Sequence, residues 1–306
     1  MPTATSTTRP AANDWLNHPS YVPAREHLVA RLSSPSHVFQ RVGGIVFLCG
    51  AADNTRRAKI TSYIEKWQPS LRVFRADDVW TEISQSSRRN ALDMERYVAG
   101  LADAVIVVVE SAGSIAELGA FSLSDDLRKK LLPILDRRYE HDSSFINTGP
   151  IRWVDEDSIY APSIWADFDI ILAAMGEVLE RLRRLSAKRM VFHEKRALSD
   201  KYLLFFLADL LTIIGPAPIK QIKYFVDNAI ARRDEEDLAS LLGLAVALRL
   251  IDRKEVNGVR YYFRANAEDP FEPFVVRAKF NLAGERARML GTLLGIPAAR
   301  AVISAP

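Results

Sequence analysis

The chain has 306 residues, a formal net charge of +3, and a composition of 48% hydrophobic and 26% charged residues. These values are ordinary for a globular protein with large cores, and the length favours two domains over one. The single cysteine, Cys49, excludes an intrachain disulfide and suits a reducing cytosol. No apolar stretch approaches the ~20 residues of a membrane-spanning helix. We therefore expect a cytoplasmic protein, and the small net charge does not by itself indicate a nucleic-acid partner.

The first half of the chain alternates strand and helix patterns. Short apolar runs predict buried strands, and apolar residues at helical spacing predict helices between them. The predicted strands are Gly44–Gly50, Leu71–Phe74, Val105–Val109, Lys130–Leu135 and, as a fifth, Ile151–Val154; helices are predicted at about 24–32, 55–67 and after Asn90. This alternation predicts a Rossmann/flavodoxin-like α/β fold with a parallel sheet.

The apolar run at 105–109 ends in a turn of small and hydroxylated residues. We expect a new helix to begin at Ile115, capped by Ser111 or Ser114. Open α/β sheets bind ligands at such strand–turn–helix junctions. Glu117 then falls in the first turn of the helix, where unpaired N–H groups and the helix dipole favour an ionised carboxylate. This position makes Glu117 a candidate nucleophile, and the alternative is an ordinary first-turn glutamate.

Three motifs in order carry a family resemblance: ESAGSIAELGAFS (110–122), LRKKL (127–131) and SFINTGP (144–150). The carboxylate followed by Leu-Gly-Ala-Phe resembles nucleoside 2-deoxyribosyltransferases, in which the glutamate of a Glu-Leu-Gly motif attacks the sugar C1′. The motifs resemble even more closely the retron-associated effectors that are built on this fold and carry a winged helix in a helical C-terminal half. The resemblance spans roughly residues 44 to 265.

The resemblance implies cleavage of an N-glycosidic bond through a covalent ester on Glu117, as in retaining glycosidases. Glu95 is the candidate second carboxylate, because the transferases carry an acid at that spacing that contacts base and sugar; the alternative is an exposed helix glutamate. Asp77 and Asp78 follow the second strand, where acids often hold ribose hydroxyls. A turn-capping role is the alternative for one of them. Asp103 is expected to be a structural cap.

Further residues are predicted to bind the substrate. Ser111, Gly113 and Ser114, with the N–H groups at the helix start, form a candidate phosphate-binding turn. Ser111 stands where the transferases for free nucleosides usually carry an acid, which is compatible with a phosphorylated substrate. Gly50 would allow close approach to a ligand, and Asn147 would complete the pocket of this chain or of a neighbour. We expect no metal site and no cofactor, because the five histidines and one cysteine are scattered.

The second half of the chain shows a helical pattern. Apolar residues from Ile171 to Leu185 predict a long helix whose C-terminal part is basic, either as a solvated face or as a surface for a phosphate backbone. Residues 199–265 then predict three helices and a hairpin with the two-residue turn Asn257-Gly258, the order of a winged helix-turn-helix. The predicted units are a tail with a short helix (1–42), the α/β domain (43–165), a basic connecting helix (166–198), and a winged-helix domain with an extension of one more helix (199–306).

Charge argues against sequence-specific DNA reading by this module. The third helix opens with four acids, Asp234 to Asp237, which would repel phosphates at the end that normally meets base edges. Basic residues of the second helix and the wing are the candidates for a nucleic-acid contact made mostly by charge: Lys220, Lys223, Arg253, Lys254 and Arg260. The alternative is a module for protein–protein or dimer contacts.

These inferences favour an antiphage retron effector that cleaves NAD or deoxynucleotides. The retron resemblance implies a reverse transcriptase and its RNA–DNA hybrid (msDNA) as the partner that holds the enzyme inactive. The family's pocket implies at least a homodimer. One alternative is a non-catalytic nucleotide-sensing regulator with a winged-helix binding module. Another is a housekeeping nucleoside transferase, against which Ser111 argues.

Overall fold

The computed structural model describes residues 15–34, 39–41, 44–51, 55–75, 91–186, 190–192, 199–264 and 280–305. Some sequence predictions therefore lie outside the described residues, among them the ribose-binding candidates Asp77 and Asp78 and the helix cap Asn90. Among the described helices, none is both long and apolar enough to cross a membrane.

A five-stranded parallel sheet forms the first half of the molecule, as predicted. Its strands are β2 (Gly44–Cys49), β3 (Leu71–Arg75), β4 (Ala104–Val109), β5 (Leu131–Asp136) and β6 (Ile164–Ala166), in the order β3-β2-β4-β5-β6. Strand β4 lies at the centre, and its residues from Ala104 to Val108 are fully buried. The connections run in opposite directions from β2 and β4, so the sheet has its topological switch point between these two strands.

Helices cover both faces of the sheet because alternate strand residues point to opposite sides. On one face, α2 (Thr55–Trp67) and α7 (Met175–Ser186) pack on Val46 and Ile106. On the other face, α3 (Ala91–Leu101) and α4 (Ala112–Ser122) pack on Phe47 and Val105. The remaining elements of this half are α5 (Asp125–Arg128), a 3₁₀ turn (Arg137–Tyr139), a π-helical turn (Asn147–Ile151) and α6 (Arg152–Asp157).

The fifth strand was predicted in the wrong place. Ile151 and Val154 are buried while Arg152 and Trp153 are exposed, which is the spacing of a helix rather than a strand. These residues belong to the π-helical turn and α6, and the sheet's fifth strand is Ile164–Ala166. That strand has only three residues, too few for a periodic signal.

The predicted long basic helix is also wrong in its extent. A 3₁₀ helix (Phe168–Ala174) is interrupted by Ile170, whose φ of −123° and ψ of 44° are not helical. Helix α7 then ends at Ser186, and β7 (Met190–Phe192) pairs antiparallel with β1 (Phe39–Arg41). The described part of 166–198 therefore contains a 3₁₀ helix, an α-helix and a strand where a single helix was expected. Lys188, Arg189, Lys195 and Arg196 lie outside the described residues.

The second half contains the predicted three helices and hairpin. They are α8 (Asp200–Ile214), α9 (Ile219–Ala229), α10 (Glu235–Ala247), and the strands β8 (Ile251–Val256) and β9 (Val259–Arg264). The hairpin turn has positive φ at Asn257 (54°) and Gly258 (73°), as a type I′ turn requires. Ala217 adds an antiparallel bridge to Tyr262. Two helices follow where one was predicted, α11 (Leu282–Leu294) and α12 (Pro297–Ser304).

The two halves share one continuous core. The buried face of the sheet at Phe47 and Val105 belongs to the same apolar cluster as Leu204 and Phe206 of α8. The N-terminal helix α1 (Val22–Ser33) packs on α9 and α11 rather than on the sheet. Trp15, ahead of α1, stacks on Tyr261 of the hairpin with 5.9 Å between ring centroids.

Candidate active site at the carboxyl edge of the sheet

Helix α4 begins three residues earlier than predicted. Ser111 is its N-cap: the Ser111 hydroxyl accepts the Ser114 N–H at 3.1 Å, and the Ser114 hydroxyl accepts the Ser111 N–H at 2.9 Å. This reciprocal capping box satisfies two N–H groups and so fixes the start at Ala112. Glu117 is therefore in the second turn of the helix, and the expectation that it lies in the first turn is wrong. The helix dipole acts most strongly within the first turn, so it favours an ionised Glu117 less than expected.

Glu117 is half-buried on the helix that follows the central strand. Its Oε2 atom is shielded from solvent. Glu95, the other candidate carboxylate, is half-buried on α3, which packs on the same face of the sheet as α4. Both residues make interactions within the protein.

A cavity of about 520 Å³ lies at the carboxyl ends of β4, β5 and β6. It brings together two predicted residues that are far apart in sequence, Ser111 and Asn147. The Asn147 Nδ2 donates hydrogen bonds to the carbonyls of Tyr139 and Asp142, both at 2.9 Å. Asn147 thus lines a cavity of its own chain, whereas Glu117 is not among the lining residues.

Two arginine–carboxylate pairs flank this cavity, and the sequence analysis missed both. Glu110, just after β4, accepts a hydrogen bond from Arg56 at 2.6 Å, and its side chain is only 4% exposed. Arg56 also donates to the Phe168 carbonyl at 2.8 Å. The sequence offered one signal for the first pair, a glutamate directly after a buried strand. Its partner Arg56 is 54 residues away in the chain, so no local pattern connects the two.

The second pair lies at the end of β5. The Asp136 carboxylate, 7% exposed, accepts hydrogen bonds from the Arg138 guanidinium, the shortest at 2.6 Å. These bonds hold the pKa of the Asp136 carboxyl below its usual value, against the opposing effect of burial. Both strand ends therefore present a buried carboxylate that is already neutralised by an arginine.

The structure gives other predicted residues a packing role. Gly50 has φ +156°, and a Cβ there would lie 3.1 Å from Arg57 Cδ and 3.2 Å from Glu110 Oε1. The close backbone approach at Gly50 is therefore to Glu110 of this chain, which pairs with Arg56. Ser114 is fully buried and its hydroxyl serves the cap, whereas Gly113 is exposed in the first turn of α4.

Asp103 has the structural role that was predicted. Its Oδ2 accepts the Ile45 N–H at 2.9 Å, and its Oδ1 pairs with Lys201 of α8. Next to Lys201, Asp200 accepts hydrogen bonds from the Tyr97 hydroxyl at 2.9 Å and from Arg233 at 2.8 Å. This network lies at the amino edge of the sheet, away from the cavity.

The five basic candidates of the second half differ in their surroundings. Lys223 pairs with Asp227 at 2.6 Å, and Lys254 donates to the Ala305 carbonyl. Lys220 and Arg260 are exposed, and Arg253 is half-buried. Lys223 and Lys254 therefore have partners within the fold, Arg253 also interacts within the protein, and Lys220 and Arg260 are the more accessible cations.

Known proteins resemble this chain over much of its length. The sequence profile of the STM3845 retron effector protein matches residues 53–253. An Escherichia coli protein named "Retron Ec73 putative ribosyltransferase/DNA-binding protein" is 28% identical over 271 residues, covering 76% of this chain and 85% of the relative. A second E. coli protein, "Retron Ec86 putative ribosyltransferase/DNA-binding protein", is 33% identical over 111 residues, covering 35% of this chain and 36% of the relative.

Proposed function

The chain belongs to the STM3845 retron effector family, and we propose that it is an effector enzyme that cleaves the N-glycosidic bond of a nucleotide such as NAD or a deoxynucleotide. The observation that carries the proposal is the position of Glu117: a half-buried carboxylate, shielded at Oε2, on the helix after the central strand. The word ribosyltransferase in the names of two retron relatives supports the same class of reaction.

The proposed chemistry uses the two carboxylates in different roles. An oxygen of Glu117 attacks C1′ while the C1′–N bond breaks, and the electron pair of that bond leaves with the base. The base of a deoxynucleotide takes a proton from Glu95, whereas nicotinamide leaves NAD as a neutral molecule and needs no proton. Water or another hydroxyl then gives a proton to Glu95 and attacks C1′ of the glycosyl ester, and the C1′–O bond to Glu117 breaks to release the carboxylate. Half-burial suits the role of Glu117, since a partly dry site strengthens the interaction of a carboxylate with the positive charge that develops at C1′.

The second half is proposed to serve regulation. Residues 199–264 have the helix and hairpin order of a winged helix, completed by the bridge between Ala217 and Tyr262. Within a retron, this module would hold the effector on a reverse transcriptase and its msDNA in the cytoplasm, with Lys220 and Arg260 as accessible cations. The term DNA-binding in the relatives' names supports a nucleic-acid contact. A homodimer is part of this proposal.

Substitution of Glu117 tests the enzymatic proposal. Purified protein is incubated with NAD and the common ribo- and deoxynucleotides, and free bases are followed by mass spectrometry. Wild type should release a base. Glu117→Gln, which keeps the size of the side chain, should slow the release more than about a thousandfold, since loss of a catalytic nucleophile costs up to about a millionfold in hydrolases.

The controls separate the nucleophile from general effects. Glu95→Gln should impair the release of a base from a deoxynucleotide by losing the proton donor and should affect nicotinamide release from NAD less. Glu156→Gln, on the exposed face of α6, should leave both unchanged. If wild type releases no base either alone or with the reverse transcriptase complex, the glycosidic proposal is abandoned. Nucleotide binding without turnover would then favour the nucleotide-sensing regulator.

A further inference from the structure

We propose that a groove beside α2 is the docking site for a protein partner, and that its occupant is an amphipathic helix with acidic residues beside its apolar face. This docking site rests on the proposed function, in which the protein partner is the reverse transcriptase of the retron. Helix α2 and the helix that carries Glu117, α4, cover opposite faces of the sheet. The groove also shares no described lining residue with the cavity at the carboxyl edge.

One side of α2 leaves apolar side chains uncovered. Ile60 and Ile64 are buried against the sheet, and Tyr63 and Trp67 follow each of them by three positions, at the margin of the buried face. The two rings lie 6.1 Å apart between centroids, and Trp67 is 56% exposed. A surface helix ordinarily carries polar residues outside its buried stripe. Exposed apolar side chains that adjoin one another therefore indicate an interaction surface.

The 3₁₀ helix Phe168–Ala174 forms the second wall of the groove. Its residue Leu172 lines the groove and is 47% exposed, and Ile170, where the backbone is not helical, is 62% exposed. The small side chains of Ala58 and Ser62, one helical turn apart on α2, leave space beside this wall. The resulting groove has a volume of about 370 Å³.

The shape of the groove suits a helix. Its lining on α2 extends from Ala58 to Lys66, about 12 Å along the helix axis or two helical turns. A concave apolar groove accepts the ridge of apolar side chains that recur three and four positions apart on an amphipathic helix. A phosphate backbone offers no apolar side chains to these walls, so the groove favours a protein over a nucleic acid.

The charges around the groove define the chemistry of the partner. Lys59 and Lys66 line it and are exposed, and the Lys66 ammonium lies 5.4 Å from the centroid of the Trp67 ring. The described lining contains no carboxylate, and Glu65, the only acid in the α2 sequence, interacts with Arg72 of β3. Cations beside an apolar groove favour a partner whose acidic residues flank its apolar ones.

A substitution in the apolar wall tests the docking site. The full chain is immobilised and titrated with the reverse transcriptase of its retron, purified with its msDNA. Leu172→Asp should weaken binding about tenfold or more, because the new carboxylate would be buried against apolar and acidic groups of the partner. Leu294→Asp, which makes the same change at a 42% exposed leucine at the end of α11, should have no effect. Thermal melting verifies that both variants fold.

The outcomes separate this docking site from the proposed function. If wild type binds the complex and Leu172→Asp binds it equally well, the groove is refuted and the proposed partner stands. If wild type does not bind the complex at all, the proposed partner is lost and the docking site with it.

A reversal of charge tests the acidic character of the partner. Lys59→Glu should weaken binding about threefold or more at low ionic strength, mainly through slower association, and added salt should reduce the difference. Lys129→Glu makes the same change at an exposed lysine directly after α5 and should have a smaller effect. Equal effects of the two reversals would reflect net charge alone and contradict an acidic partner in the groove.

Photo-crosslinking identifies the occupant. Benzoylphenylalanine in place of the exposed Ala58 should capture the reverse transcriptase. Mass spectrometry should map the adduct to a segment with apolar residues three and four positions apart and acidic residues beside them. The same photo-reactive residue in place of Lys129 should give no such adduct. Adducts formed with the msDNA or with a second copy of the chain would overturn the proposal, since the groove would then bind a nucleic acid or serve self-association.

Discussion

Carboxylates paired with basic side chains lie at both edges of the sheet, but their surroundings differ. At the carboxyl edge, Glu110 and Asp136 pair with arginines around an open cavity. At the amino edge, Asp103 joins the backbone of β2 to Lys201 of α8. Lys130, just before β5, donates to the carbonyls of Gly100 and Ala102, both at 2.9 Å. A carboxylate beside a buried strand is therefore not a functional signal by itself, because it lines a cavity at one edge of the sheet and joins two segments of the chain at the other.

The amino edge also joins the two halves of the chain. Asp200 and Lys201, at the start of α8, contact α3 through Tyr97 and β4 through Asp103. Asp200 pairs with Arg233 as well, ahead of α10. The first turn of one helix thus bonds to both halves, and loss of these bonds should affect stability rather than a single ligand contact.

The largest expected effect on stability is at Asp103. Asp103→Asn should lower the free energy of unfolding by about 3 kcal/mol, because it leaves the Lys201 ammonium partly buried without its carboxylate. Chemical denaturation measures the change. Adding Lys201→Met should recover part of the loss, and Glu156→Gln, which breaks an exposed pair with Arg152, should have little effect. A loss as small as that of Glu156→Gln would mean that this network does not join the halves.

At the carboxyl edge, glycine substitutions should act in opposite directions. Gly50→Ala should cost about 1–3 kcal/mol, because a Cβ would crowd Arg57 and Glu110 at a positive φ. In Gly119→Ala, the added Cβ inside α4 would have no described atom within 4 Å apart from its chain neighbours and its own helix backbone. This substitution should stabilise by about 0.5–1 kcal/mol through helix propensity. Thermal or chemical unfolding compares the two, and equal effects would argue against the close packing around Gly50.

A further expected effect is a pH dependence at Lys130. Burial, together with the nearby charge of Lys201 and against the opposing effect of Asp103, lowers the pKa of Lys130 from its ordinary 10.5 to about 8. Between these values the unfolded chain holds more protons, so the contribution of Lys130 to the free energy of unfolding should increase as pH rises. Denaturation of wild type and Lys130→Met across this range isolates the contribution. A constant difference between the two proteins would show that the pKa is not lowered.

Sequence patterns predicted most of the local structure. Strands β2 to β5 are apolar runs, and the apolar residues of α2 and α8 to α10 recur at helical spacing. Each of these elements could therefore be predicted from its own segment of the sequence. The hairpin was predicted from Asn257-Gly258, because those residues accept the positive φ that the turn needs. Glu117 was singled out by its motif, and its role remains a proposal.

The sequence by itself determined the parallel α/β half, the helical half and the candidate nucleophile, since each depends on short-range periodicity or a local motif. Only the tertiary structure decided that β6 completes the sheet, that Ser111 and Asn147 share one cavity, and that Arg56 and Arg138 pair with Glu110 and Asp136 beside it. The structure also decided that α4 begins at Ala112 rather than at Ile115, because the capping box that fixes this start depends on backbone geometry. The physical reason is that periodicity records which face of a segment is buried, whereas ion pairs and cavities depend on which strand ends meet in space.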